Sequence, residues 1–164
     1  MTDLPKRIEH AKWLFERTLS WIATADVKVG VAIGMDTAMF GGLAAAYGAS
    51  DASTRNAWAY LALFSACAGL VVAVFCASMA AIPRMLGPVS SNIFFARIAE
   101  KPAHDFNDAF LRMDESAFLN DLTTQIHRNA EIATAKHAWV RKSLTWSFLA
   151  AVPWAGAIAL LVKT

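Results

Sequence analysis

Cysteine is nearly absent from this chain. The two present, Cys67 and Cys76, lie nine residues apart inside an uncharged stretch and show no CxxC spacing, so neither a disulfide framework nor a zinc site has support. There is also no Gly-rich phosphate loop, no Gly-x-Ser-x-Gly nucleophile elbow and no HExxH helix, which removes the common signatures of nucleotide hydrolysis, acyl transfer and zinc proteolysis. Proline is restricted to Pro5, Pro83, Pro88, Pro102 and Pro153, so long helices can form between those points. The most telling absence is of charge. From Val29 to Ser50 only Asp36 is charged, and from Asn56 to Ile82 and from Ser143 to Val162 nothing is.

Each gap is long enough to cross the roughly 30 Å hydrocarbon core of a bilayer as a helix. The chain is 57% hydrophobic and 17% charged, against about 45–50% apolar in soluble domains. The expected fold class is an all-α integral membrane protein with three transmembrane helices and a cytoplasmic helical stalk extending the first and third. The expected divisions of one 1–164 membrane domain are a stalk helix at 5–28, spans at 29–48, 57–82 and 143–162, and a helical region at 83–142. Residues 1–25 carry Lys6, Arg7, Glu9, Lys12, Glu16 and Arg17, which leaves no apolar core for a cleavable signal.

Cations are unevenly placed. Lys6, Arg7, Lys12, Arg17 and Lys28 precede the first span. Eight, from Arg84 to Lys142, lie between the second and third; only Arg55 lies between the first and second, and only Lys163 follows the third. The positive-inside rule puts the N-terminus and central region of a multi-pass chain in the cytoplasm and the 48–56 loop and the C-terminus on the outer side of the membrane. A net charge of +2 points to no nucleic-acid partner.

Pro5 suits the first turn of a helix, and Ile8, Phe15, Leu19 and Ile22 predict one face of it. Trp13 and Trp21 suit a headgroup boundary. In the first span Gly30 and Gly34 form a GxxxG pair that Ala38 and Gly42 repeat, a spacing that serves equally for self-assembly or for packing within one chain. Asp36 lies about 10 Å into that span, where a charge costs at least about 2.5 kcal/mol. It is a candidate pore or gate residue, or a carboxyl bonded to a hydroxyl such as Thr37 or Ser65. A turn at 48–56 makes the first two spans a hairpin, and Pro83, Gly87 and Pro88 end the second. Residues 114–162 read as one helix. Its first half carries an apolar stripe of Leu119, Leu122, Ile126, Ala133, Val140 and Leu144, and its second half is a span. Pro153 frees a carbonyl near Leu149 and is a candidate bend or gate point. His104–Asp105 and the pair His127 and Glu131 are too few to hold a metal. The expectation is no enzyme, no metal and no cofactor.

Three segments together resemble a known family. They are WIATADVKVGVAIGMDTAMFGG, with Asp26 and Lys28 in a D-x-K motif, then NIFFARIA, then FLNDLTTQIHRNAEIATAKHAWVRKSL, with Gln125 and Lys136. In order and placement they resemble the Pycsar effector-protein domain, the transmembrane effectors of pyrimidine cyclase anti-phage systems, over roughly residues 10–162. Ala96 stands where a Gly is usual after the paired phenylalanines. The resemblance implies activation by a cyclic pyrimidine nucleotide, cUMP or less readily cCMP, made by a partner cyclase, followed by loss of inner-membrane integrity and abortive infection. It implies a helical ligand site with candidate residues Asn92, Phe94, Phe95, Arg97, Gln125 and Lys136: Arg97 or Lys136 for the phosphate, Asn92 or Gln125 for the base, and Phe94 or Phe95 beneath it. Asp26, Lys28 and Lys136 have an equal structural alternative, pairing with one another. Three helices cannot enclose a channel, so a pore would need a homo-oligomer in the lipid bilayer. The alternatives are a membrane effector answering another cyclic (oligo)nucleotide and a ligand-free structural subunit.

Overall fold

A computed structural model describes residues 3–84, 87–88 and 90–162. The elements in order are α1 (Leu4–Ala49), α2 (Ala57–Ala81), α3 (Phe95–Ala99), α4 (Ala103–Leu111) and α5 (Glu115–Leu161), with no strand among the described residues. Three of them, α1, α2 and α5, are long and apolar enough to cross a membrane.

Three ends of the long helices are closed by side chains that flank them. Asp114 Oδ1 accepts from the Ala117 N–H at 2.7 Å at the start of α5, and Asn56 Oδ1 accepts from the Ala59 N–H at 3.0 Å at the start of α2. At the end of α1, Arg55 donates from Nη2 to the Tyr47 and Ser50 carbonyls at 3.1 and 2.8 Å, and its guanidinium lies 4.5 Å from the Tyr47 ring centroid. The single cation of the hairpin loop thus adds to the donors, with Ser50, that meet carbonyls lacking an intrahelical partner at a helix C-terminus. Helix α5 continues through Pro153 to Leu161; lacking an N–H, Pro153 gives no backbone bond to the Leu149 carbonyl.

The chain forms two compact units, Met1–Thr24 with Pro83–Ala135, and Ala25–Ile82 with Lys136–Thr164. In the first, Ala11 and Thr18 of α1 are buried, as are Leu122, Gln125, Asn129, Ile132 and Ala133 of α5. Lys12 Nζ sits 5.7 Å from the Phe118 ring centroid, and Arg84 Nη1 donates to the Ile132 carbonyl at 3.0 Å. Leu19, expected on the covered face, is 44% exposed. The covered positions of α1 instead run Leu4, Ile8, Ala11, Phe15, Thr18, Ile22, Ala25, Val29, Ala32, Asp36, Met39, Leu43 and Ala46. These alternate in steps of four and three, the period of a coiled-coil seam.

The second unit packs α1, α2 and α5 segments around small residues. Ala59, Ala66, Ala73 and Ala80 recur every seven residues on α2 and are all buried. Leu43, Ala66, Leu70, Ala150 and Ala157 form the main apolar cluster, with Trp154 against it. A Cβ on Gly69 would lie 2.8 Å from the Ala150 Cβ, and one on Gly42 3.2 Å from the Trp154 ring. A Cβ on Gly30 or Gly34 would meet nothing within 4 Å, so this GxxxG pair takes no part in packing among the described residues. The outward side chains are large and apolar: Val31, Phe64, Phe75, Phe148 and Val152 are 59–77% exposed. That inversion of size suits lipid, where dispersion between closely approaching backbones, rather than expulsion of water, holds helices together.

Gly69→Ala therefore overpacks the α2–α5 contact and lowers the thermal midpoint of the detergent-solubilised protein, by the equivalent of about 1–3 kcal/mol. Gly30→Ala meets no such clash and leaves that midpoint the same or raises it slightly, since Ala favours helix over Gly by about 0.5–1 kcal/mol.

Candidate functional site

In the first unit the segment after Pro88 is held by one serine. Ser91 is 2% exposed. Its Oγ accepts from the Ile93 and Phe94 N–H groups at 3.1 and 2.9 Å and from Gln125 Nε2 at 2.8 Å. It thereby caps the approach to α3 and pins it to α5. The next residue repeats the tie: the Asn92 N–H donates to Asp121 Oδ2 at 2.7 Å. Lys101 Nζ in turn donates to Asn92 Oδ1 at 2.5 Å. Pro88, Ser90, Asn92, Asn120, Asp121 and Thr124 line a cleft of about 230 Å³ beside this tie.

The candidates on this segment differ in how free they are. The Gly87 backbone lies so close to Phe94 that a Cβ there would fall 2.3 Å from the ring, so one side of this half-buried ring is covered. Phe95, at a centroid distance of 4.9 Å from Phe94, is 60% exposed. Arg97 pairs with Glu100 at 2.7 Å through Nη1, while its buried Nε has no partner. Gln125 is 2% exposed with its amide engaged by Ser91. Ser91 and Asp121 were not singled out in the sequence. A serine four residues ahead of a short helix is the one available signal, and it is a common one.

Lys136 belongs to the second unit, where its ammonium pairs with Asp26 Oδ1. The Lys136 side chain is 8% exposed and that of Asp26 49%. Lys28 does not join them, because residues two apart on a helix face different ways.

Asp36 is fully buried, and neither carboxyl oxygen has a hydrogen-bond partner. The hydroxyl beside it is that of Ser147 on α5, not Thr37 or Ser65. Thr37 Oγ1 donates to the Ile33 carbonyl at 2.8 Å, and Ser65 is exposed. Ser147 Oγ donates to the Ser143 carbonyl at 3.0 Å, and the buried Ser143 Oγ is also without a partner. Beyond this polar layer Trp154, adjoining Pro153, donates from Nε1 to the Met39 carbonyl at 2.9 Å.

The two His–acid pairs read in the sequence lie on the surface. His104–Asp105 (3.1 Å) and His127–Glu131 (3.7 Å) are exposed pairs, and no group of three His, Cys, Asp or Glu side chains could hold a metal among the described residues. Glu131 is held below the usual carboxylate range, first by its hydrogen bond from Arg128, which makes it a surface ion-pair member.

The family comparison decides what these parts belong to. The Pycsar effector protein domain (PycTM) matches residues 10–163. The chain belongs to the Pycsar effector family. Membership makes it an anti-phage effector of the pyrimidine cyclase system, a transmembrane family that is not a known enzyme class. No curated protein and no solved structure matches the chain. In this Pycsar effector the membrane-spanning segments of α1 and α5 carry buried polar side chains at Asp36, Ser143 and Ser147, positions where lipid-facing residues would be apolar.

The Asp26–Lys136 pair predicts an asymmetric response. Asp26→Ala strands a buried ammonium and costs about 1 kcal/mol or more beyond Lys136→Met, which leaves only a half-exposed carboxylate. Thermal unfolding of the two variants in detergent checks the order.

Proposed function

We propose that this Pycsar effector is switched on by a cyclic pyrimidine nucleotide, cUMP in preference to cCMP, and then breaches the inner membrane so that the infected cell dies before phage matures. The family match over residues 10–163 carries this reading. The ligand site is the 91–101 segment with the facing part of α5. Arg97, with a buried Nε donor to spare, takes the phosphate. Exposed Phe95 offers a ring face to the base, and Asn92 reads its edge. Asp121 in the adjoining cleft has the wrong sign for a phosphate, so that cleft suits the ribose or base end. Gln125 acts from behind by holding Ser91, and Lys136 with Asp26 braces α1 against α5.

Ligand binding selects one packing of the helices by its differential affinity, and a few kcal/mol shifts the population almost completely. Helix α5 runs unbroken from Glu115 to Leu161, which gives the change a covalent route into the span. The unpartnered Asp36 carboxyl is the gate. Its burial weakens the closed packing, and repacking among several copies of the chain hydrates it. Pro153 is the point at which α5 bends. The N-terminus and the 83–142 region are cytoplasmic and the C-terminus periplasmic.

Dye release from liposomes carrying the purified protein tests the reading. It is expected with cUMP, more weakly with cCMP, and not with cyclic purine nucleotides or cyclic oligonucleotides. Release by none of these, or by all alike, removes the proposal. Arg97→Ala raises the cUMP concentration for half-maximal release about tenfold to a hundredfold, the loss expected for a charge-assisted hydrogen bond.

Asp36→Leu relieves the orphaned carboxyl. It raises the thermal midpoint and reduces cUMP-triggered release together, so measuring both separates a gate from a merely tolerated buried acid.

A further inference from the structure

A second polar cluster lies outside the 91–101 segment. On α5, His137, Arg141, Leu144 and Phe148 follow one another in steps of four, three and four, and so share a face. With Lys28 of α1 they line a cleft of about 410 Å³, to which Val140 and Thr145 also contribute. Lys28 and Arg141 are exposed and His137 is half-buried. None of the three side chains has a hydrogen-bond or ion-pair partner among the described residues. The nearest acid in sequence, Asp26, is already engaged by Lys136. The basic end of the cleft lies where charged sequence gives way to the apolar stretches starting at Val29 and Ser143, and the other end lies within the span. Trp139, with the Lys142 ammonium 4.2 Å from its ring centroid, marks the same level as an interfacial one.

We infer that this cleft binds one anionic phospholipid, its headgroup phosphate held by Lys28, Arg141 and His137 and an acyl chain lying along Leu144 and Phe148. The lining argues for lipid over a free phosphate or a cyclic nucleotide. Cations grade into apolar side chains along a single groove, which matches an anion carrying a hydrocarbon tail. A nucleotide would leave Leu144 and Phe148 uncovered. The absence of any acid in the lining favours a net-negative headgroup, such as phosphatidylglycerol, over a zwitterionic one.

Native mass spectrometry of the full chain, extracted from vesicles of phosphatidylethanolamine with phosphatidylglycerol, tests this. One phosphatidylglycerol per chain is expected to survive mild detergent removal. The double variant Lys28→Gln with Arg141→Gln lowers that occupancy tenfold or more, and Lys28→Arg with Arg141→Lys restores it. Lys142→Gln, one residue outside the cleft, keeps it, which separates a site from general surface charge. Circular dichroism confirms that each variant is folded, and Phe148→Ala supplies an uncharged test of the tail position by weakening retention. Equal retention of phosphatidylethanolamine, an unchanged adduct in the double variant, or displacement of the lipid by excess inorganic phosphate or cUMP would each overturn the inference.

Discussion

Backbone amides in hydrocarbon have no water to bond to, and every one must be satisfied within its own segment. That constraint shapes the membrane part of this protein before any side chain is considered. It forces α1, α2 and α5 to be helices through their apolar stretches. It also explains why the one loop between uncharged stretches is closed by Arg55, whose guanidinium bonds the carbonyls that α1 leaves open at its end. Once the backbone is satisfied, little hydrophobic force remains to bring the helices together. Close approach must do it, and Gly69 against Ala150, with the alanines of α2 at every seventh position, allows that approach.

Against this background the buried polar groups stand out. In the first unit Ser91, Gln125, Asn92 and Asp121 satisfy one another and fix where the 91–101 segment lies on α5. Such a tie specifies register more than it adds stability, as a polar residue at a coiled-coil core position does. In the second unit the same helix face carries Lys136, paired, and then Ser143 and Ser147 beside Asp36, not fully satisfied. A complete network rigidifies, whereas an incomplete one stores the means to change. The contrast accords with the proposed division of labour, ligand recognition at one place and action at another.

The charge-free stretches and the positions of Pro83, Gly87 and Pro88 were enough to read the all-α class, three long apolar helices and the end of the second one. The seam of α1 was only half legible. A search for apolar residues at helical spacing picks Leu19, which is exposed, and passes over Thr18 and Asp36, which are buried core positions occupied by polar side chains. On α5 it finds Leu122, Ala133 and Val140 but not Gln125, Asn129 and Lys136 between them. The GxxxG of the first span is the more visible pattern, yet the alanine repeat of the second is the one that is buried. Glycine is conspicuous, whereas alanine every seventh residue looks like ordinary helix.

Composition and order, with a family likeness over nearly the whole chain, settled what kind of protein this is, because length without charge and family-specific segment order are properties of a one-dimensional string. Which side chains are free to act was decided only by tertiary packing. Phe94 and Phe95 are equivalent as letters, yet Gly87 covers one and leaves the other open. Lys28 and Lys136 are both basic residues near a span, yet one closes on Asp26 and the other lines an open cleft. Availability depends on what lies across from a side chain in space, and residues as far apart as Asp26 and Lys136 meet only when the helices have packed.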